Sequence, residues 1–234
     1  MGRVVSFCFI LVVLFTACTP QTEEAERVSI DQFAGSVSFY PQETGIVWSY
    51  VPPGGSLESP ALQQVIEGPT VLNDDIWIAS SVTGVGLSGF RFRQYRSDGV
   101  YRLRETAPGV ETTYDPPIRE FPAESELVVG ASWTGDTTAT VFFPGAKPDE
   151  QTQVQTVNYT YTVVDKRTVN NLPIGPVEVF VVNLVGRLFD ADGGISQELK
   201  QEVWFAPFIG EVRTREGFLL IATNTVESEP VETE

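Results

Sequence analysis

TVNYTYTVV, residues 156–164, alternates without a break. Val157, Tyr159, Tyr161 and Val163 fall on one side of an extended chain, and Asn158, Thr160 and Thr162 on the other. A period of two, carried by β-branched and aromatic residues, marks a half-buried strand. The pattern recurs to either side. FRFRQYR (90–96) and VYRLRET (100–106) are separated by Ser97-Asp98-Gly99, a hairpin signal. PVEVFVVNLVGRLF (176–189) and QELKQEVWFAP (197–207) flank DADGGIS and predict a second hairpin. GEVRTREGFLLIATN (210–224) predicts a third, turning at Arg215-Glu216-Gly217. Further strands are expected near 35–40, 46–51, 61–67, 75–82 and 133–143. Helical periodicity is scarce: SPALQQVIEG (59–68) is the best short helix candidate and fits a strand equally well. Roughly ten or eleven strands, punctuated by Gly and Pro and with no fixed-period repeat, predict a mainly β fold with little helix. The expected architecture is one large antiparallel curved sheet, closing as a half-open barrel or a sandwich.

The chain has 234 residues, with 42% hydrophobic content and a formal net charge of −16. That length and hydrophobicity support one ample β domain. The acidic balance repels phosphate backbones, so nucleic acid is not an expected partner. There is no histidine, which excludes a Ser-His-Asp triad, a Cys-His pair and any His-ligated zinc site. Catalysis would have to use carboxylates, Lys147, Lys166, Lys200, tyrosine or a bound cofactor, and no pattern in the sequence calls for a cofactor or a metal. The two cysteines, Cys8 and Cys18, both lie at the amino terminus, so no disulfide and no thiolate cluster is expected in the folded part.

Arg3 is followed by an apolar run from Val4 to Phe15, then Thr16, Ala17 and Cys18. The run is too short to cross ~30 Å of hydrocarbon as a helix and fits the core of an export signal. The arrangement resembles the bacterial lipoprotein signal, although Phe15 stands where that signal prefers leucine. The resemblance implies that Cys18 becomes the first mature residue and carries lipid; the alternative is an ordinary signal peptide that happens to contain Cys18. The expected organisation is a signal peptide (1–17), a lipidated polar tether (18–29), one antiparallel β domain (30–223) and an acidic disordered tail (224–234).

Four other features bear on chemistry. Gly84-Val85-Gly86-Leu87-Ser88-Gly89 has the spacing of a dinucleotide loop, but Phe90-Arg91-Phe92-Arg93 continues it as a strand where the motif needs a helix. A glycine-rich turn is expected instead. In DADGGIS, Asp190 and Asp192 fit part of a calcium loop, yet the terminal glutamate is misplaced and the plain hairpin loop is the simpler reading. Arg91, Arg93, Arg102 and Arg104 alternate on two paired strands. A turn at Asp98-Gly99 would put Arg93 opposite Arg104 and all four on one face, either as an anion or partner patch or as a ladder neutralised by neighbouring acids. Trp48, Trp77, Trp133 and Trp204 sit in separate predicted strands, as core or as the lining of a concave face that meets an apolar or sugar ligand.

Phe39-Tyr40-Pro41 followed by Gly45, Trp48 and Tyr50, then LPIGPVEVFVV (172–182) and WFAPFIGEVRTREG (204–217), together resemble a group of bacterial lipoproteins. That group has Y-P-x-x-x-G-x-x-W-x-Y near its start and W-Y/F-A-P-x-x-G-x-V-R/K near its end. The resemblance implies an exported antiparallel β protein, with the half-open barrel of lipoprotein carriers as one form. It brings no catalytic residue. The expected function is that of a lipid-anchored extracytoplasmic protein of the bacterial cell envelope with a non-catalytic binding or envelope-support role. Its partners would be the membrane, through the N-terminal lipid, and an apolar ligand or an envelope protein. The alternative is a carboxylate-dependent hydrolase acting on a glycan.

Overall fold

The computed structural model describes residues 37–55, 61–84, 86–189 and 192–225. Cys18, the leader, the tether and all but the start of the acidic tail lie outside the described residues, as does Asp190.

Twelve strands follow one another in chain order: β1 (Val47–Val51), β2 (Leu62–Leu72), β3 (Asp75–Gly84), β4 (Leu87–Arg96), β5 (Gly99–Ala107), β6 (Val110–Pro122), β7 (Ser132–Phe142), β8 (Thr152–Val169), β9 (Val177–Phe189), β10 (Ile195–Ala206), β11 (Gly210–Arg213) and β12 (Leu219–Thr223). Each pairs antiparallel with the next, and β1 pairs with β12 through Trp48–Thr223 and Val51–Leu219, so the sheet closes into a barrel. The expected curved antiparallel sheet is therefore present and fully closed. From Leu62 on, the helix candidate at 59–68 is strand β2, and the described helical content is a single 3-10 turn at Glu124–Glu126.

The opening stretch lies inside β8, and its alternation becomes its burial. Tyr159, Tyr161 and Val163 are buried, while Thr160 and Thr162 turn away and bond across to Thr134 and Ser132 on β7. Two expectations needed correction. Residues 37–46 are not a strand; they fold back over one end of the barrel as a plug. Phe39 and Tyr40 pack there among Phe121, Phe205 and Phe208, with ring centroids 4.8–6.0 Å apart. Polar tips fasten the plug: Tyr40 Oη donates to the Pro122 carbonyl (2.8 Å) and Tyr95 Oη to the Pro41 carbonyl (3.1 Å). The second correction is β6, unforeseen because Pro116 and Pro117 interrupt it. Those residues fall at the end of its pairing with β7, where a missing N–H does no damage.

The wall is uneven. β8, β9 and β10 run 18, 13 and 12 residues, whereas β1, β11 and β12 run 5, 4 and 5. β10 meets β11 only from Trp204 to Ala206, so Ile195–Val203 stands beyond its neighbour and leaves a notch at the end opposite the plug. Both Val37 and Thr225 belong to the plugged end, where Asn224 bonds Gly45 and Val47.

Candidate functional site

The interior of the barrel is where the charged residues meet. Arg93 on β4 reaches Glu211 on β11 at 2.6 Å, and those strands are not neighbours in the sheet, so the contact spans the lumen. From it an alternating chain can be followed. Arg93 Nε also donates to Glu120 (2.7 Å), Glu120 accepts from Arg102 (3.2 Å), and Arg102 reaches Glu105 (3.3 Å). Glu105 accepts from Arg215, Arg215 bonds Glu216 (2.8 Å), and Glu216 accepts from Arg91 (2.7 Å). Arg91, Arg93, Arg102 and Arg215 thus balance Glu105, Glu120, Glu211 and Glu216.

The balance decides how each group ionises. Burial alone would raise the Glu120 carboxyl, but Arg93 and Arg102 outweigh it and hold Glu120 below the ordinary carboxylate value. Glu216 is likewise pulled down against its burial, by Arg91 and by backbone and Thr214 hydrogen bonds. Burial would weaken the Arg93 and Arg102 charges, and their glutamates hold both well above the usual guanidinium range. Tyrosines line the same space. Burial pushes Tyr95 up to about 12, and Tyr50, Tyr114 and Tyr161 are raised by the same cause. Tyr114 Oη donates to Glu105 (2.7 Å) and Tyr50 Oη to the Glu211 carbonyl (3.1 Å). A hydrolytic acid needs a raised pKa so that it can donate a proton near neutrality. Glu120 and Glu216 are shifted the wrong way for that role.

The expected arginine patch is only partly realised. Arg91, Arg93 and Arg102 do face together, as a ladder already neutralised by glutamates. Arg104 does not join them: it bonds Glu111 and lies against the Phe92 ring. The turn falls at Ser97-Asp98, so Arg96 pairs with Gly99 and Arg93 with Arg102. Bulges beside Arg93 and between Arg102 and Arg104 then turn Arg104 to the other face.

The four tryptophans do not share a cleft. Trp48 is buried and donates to the Ile209 carbonyl (2.6 Å). Trp133 stacks on Tyr161 and donates to the Arg119 carbonyl (2.9 Å). Trp204 is half-buried between Arg167 and Arg213 and donates to Glu202 (2.8 Å). Trp77 is buried on β3, with no partner for its indole N–H among the described residues. Trp48 borders a cavity of about 30 Å³ with Tyr50, Tyr95 and Phe205, room for a water or two. A second cavity beside Glu120 and Arg93 measures about 20 Å³. Larger recesses open at the notched end, on either side of Arg215 and Glu216: a polar one of about 550 Å³ toward Lys200 and Glu202, and a more apolar one of about 270 Å³ toward Leu87 and Val110.

The two terminal stretches of the lipoprotein resemblance meet in space. Phe39 and Tyr40 pack on Phe205 and Phe208, Trp48 bonds Ile209, and Tyr50 bonds Glu211.

No family model matches the chain, and no curated protein is similar to it. One solved structure is similar to it: a chain from Bacteroides fragilis, described as a candidate exported protein with a YmcC-like fold. The two are 13% identical, with 80% of this chain and 99% of that one covered and a TM-score of 0.36. At that score the likeness bears on neither mechanism nor partner.

The glycine-rich run is a strand-to-strand turn, as expected: β3 ends at Gly84 and β4 starts at Leu87. Gly89 is there for closeness, since a Cβ would overlap the Thr106 carbonyl oxygen. Among the described residues no cluster of His, Cys, Asp or Glu is placed to hold a metal, and no helix is long and apolar enough to cross a membrane. The acids of the interior were not foreseen. Glu105 and Glu120 are separated by about a hundred residues from Glu211 and Glu216, and no local pattern marks the four as partners of the arginines.

Proposed function

We propose that this chain is a lipid-anchored protein of the bacterial cell envelope, held outside the cytosol through Cys18. In this reading its barrel acts without catalysis, by presenting a rigid surface to another envelope protein. The observation that carries the reading is the filled interior. The lumen is crossed by a charge-balanced Arg–Glu chain and stopped at one end by Phe39 and Tyr40, leaving cavities of about 30 and 20 Å³ beside Arg93, while the recesses of about 550 and 270 Å³ open at the notched end. A pocket that takes a lipid chain or a sugar needs on the order of 300 Å³ or more. An apolar ligand therefore has no room between the plug and the Arg–Glu chain, the roomier recesses at the notched end are bordered by the ion pair of Arg215 and Glu216, and the envelope-support form is preferred. The glycan hydrolase is disfavoured because Glu120 and Glu216 are held ionised. Residue 37 leaves from the plugged end, so a tether from Cys18 would point the notched rim away from the lipid.

The test is radiolabelled palmitate fed to bacteria expressing the full chain, followed by native mass spectrometry of the detergent-extracted protein. The expected result is label on the wild type, none on C18S, and a mass that leaves no room for a bound small molecule. A chain that keeps Met1 and takes up no label would refute the anchor. A stoichiometric lipid or sugar released on denaturation would refute the filled-barrel reading.

A further inference from the structure

The tall side of the notch ends in a bare strand edge. β10 pairs with β9 from Ile195 to Phe205 on one side, but on the other it meets β11 only from Trp204 onward. Among the described residues no strand pairs with the second edge of Ile195–Val203, which β11 touches through the ion pair of Arg213 with Glu202. Ile195 and Leu199 are 57% and 40% exposed there. An unpaired row of backbone N–H and C=O groups is a template for another strand.

The sequence of this edge, ISQELKQEV, is nearly self-complementary about its centre. Laid antiparallel against a second copy with Leu199 opposite Leu199, it sets Glu198 opposite Lys200 and Gln197 opposite Gln201, and the bulge between Ile195 and Gln197 ends the regular register there. Two-fold symmetry makes each of these pairs twice. Side chains alternate across a strand, so the Glu198–Lys200 pairs share one face and the leucine and glutamine pairs the other. Glu198 and Lys200 already bridge within the chain at 3.0 Å, so both side chains reach the right height for a bridge across the axis. The competing in-phase register, centred on Lys200, would oppose Lys200 to Lys200 and Glu198 to Glu202. Like charges directly opposite are unfavourable; a register centred on Gln201 would pair Lys200 with Glu202 but bring Glu198 against Trp204, whose edge β11 already occupies, so the register centred on Leu199 is selected.

We propose that two copies of this chain associate through β10, antiparallel and with the two-fold axis at Leu199, joining two barrels into one continuous sheet. The interaction needs only the free edge, whether or not the chain is anchored.

The test uses the full chain in mild detergent, with association measured by sedimentation equilibrium. K200E opposes Glu198 to a glutamate on both sides of the axis, and it is expected to weaken the dimer about tenfold or more. The double variant E198K/K200E re-creates both opposite-charge pairs and is expected to restore it. A separate unlike partner would be lost in both variants, so restoration distinguishes a second copy from any other strand. In a C8S/C18S background, L199C places two thiols across the axis at a spacing that admits a disulfide. It should crosslink about tenfold faster or more than I76C, whose position on β3 is 63% exposed. A wild type that stays monomeric, a K200E dimer as tight as the wild type, a double variant that does not recover, or L199C crosslinking no faster than I76C would each overturn the proposal. Circular dichroism on every variant separates lost association from lost fold.

Discussion

Glu120 is where the interior is most sensitive to a single atom. Its side chain is 8% exposed and accepts from both Arg93 and Arg102, while Arg102 Nε has no partner among the described residues. Replacing the carboxylate by an amide leaves two buried guanidiniums facing one fewer charge in a low-dielectric lumen. Removing one partner of a buried pair typically costs about 3–5 kcal/mol. E120Q is expected to lower the urea midpoint accordingly, with the slope unchanged. Arg104 is the control. Its side chain is 32% exposed, its bridge to Glu111 is open to water, and R104A should cost less than about 1 kcal/mol. Equal losses from the two variants would mean that the lumen is as wet as the surface. At this scale the sequence was half legible. The arginines announced themselves by alternating on two short strands, but their partners come from β5, β6, β11 and the β11–β12 turn. Arg102 and Glu105 share β5, but the pairings of Arg91, Arg93 and Arg215 are made by closing the barrel and leave no local spacing to read.

At the scale of elements, alternation told the truth wherever one face is wet. β4, β5, β9 and β10 were visible and lie close to their expected limits, and β8 runs on to Thr152 and Val169 on either side of its alternating stretch. It failed where another rule took over. The prolines of β6 argued against a strand that tolerates them where its pairing with β7 stops. The alternating residues 35–40 suggested a strand, but Phe39 and Tyr40 serve as a stopper. The β4–β5 register was offset because turn position and bulges, which set it, are not written in the alternation. The β10–β11 corner offers a test of this local geometry. Gly210 has φ +111°, and a Cβ there would lie 2.9 Å from Trp48 Nε1, which is already engaged with the Ile209 carbonyl. G210A must therefore both strain the backbone and push the indole away, at a cost of about 1–3 kcal/mol. Trp48 fluorescence should shift with it. An unchanged midpoint and spectrum would show that the corner relaxes freely.

For the whole molecule, closure and composition together set the response to pH. With no histidine in the chain, nothing in the barrel titrates across the range where most proteins first respond, so stability is expected to be flat from about pH 5 to about pH 8. On the acid side, Glu43, Glu120 and Glu216 have folded values below the ordinary 4.5. A lowered folded value means that the unfolded chain takes up protons first. The stability these groups contribute is complete above their unfolded pKa and is lost as pH falls through the folded value. On the alkaline side, Tyr50, Tyr95, Tyr114 and Tyr161 are raised by burial, Tyr95 to about 12. A raised folded value reverses the sense: their contribution is complete below the ordinary 10.0 and is lost as pH rises toward the folded value. The expected urea midpoint is therefore a plateau with a fall below about pH 4 and another above about pH 10. The alkaline limb is the sharper test, because a tyrosinate inside the filled lumen has no water to solvate it. Ultraviolet absorbance should show the buried tyrosines ionising in one cooperative step that coincides with loss of the sheet signal in circular dichroism. If they instead titrate smoothly near pH 10 while the sheet signal persists, the lumen admits water, and the closed, filled barrel is not the molecule in solution.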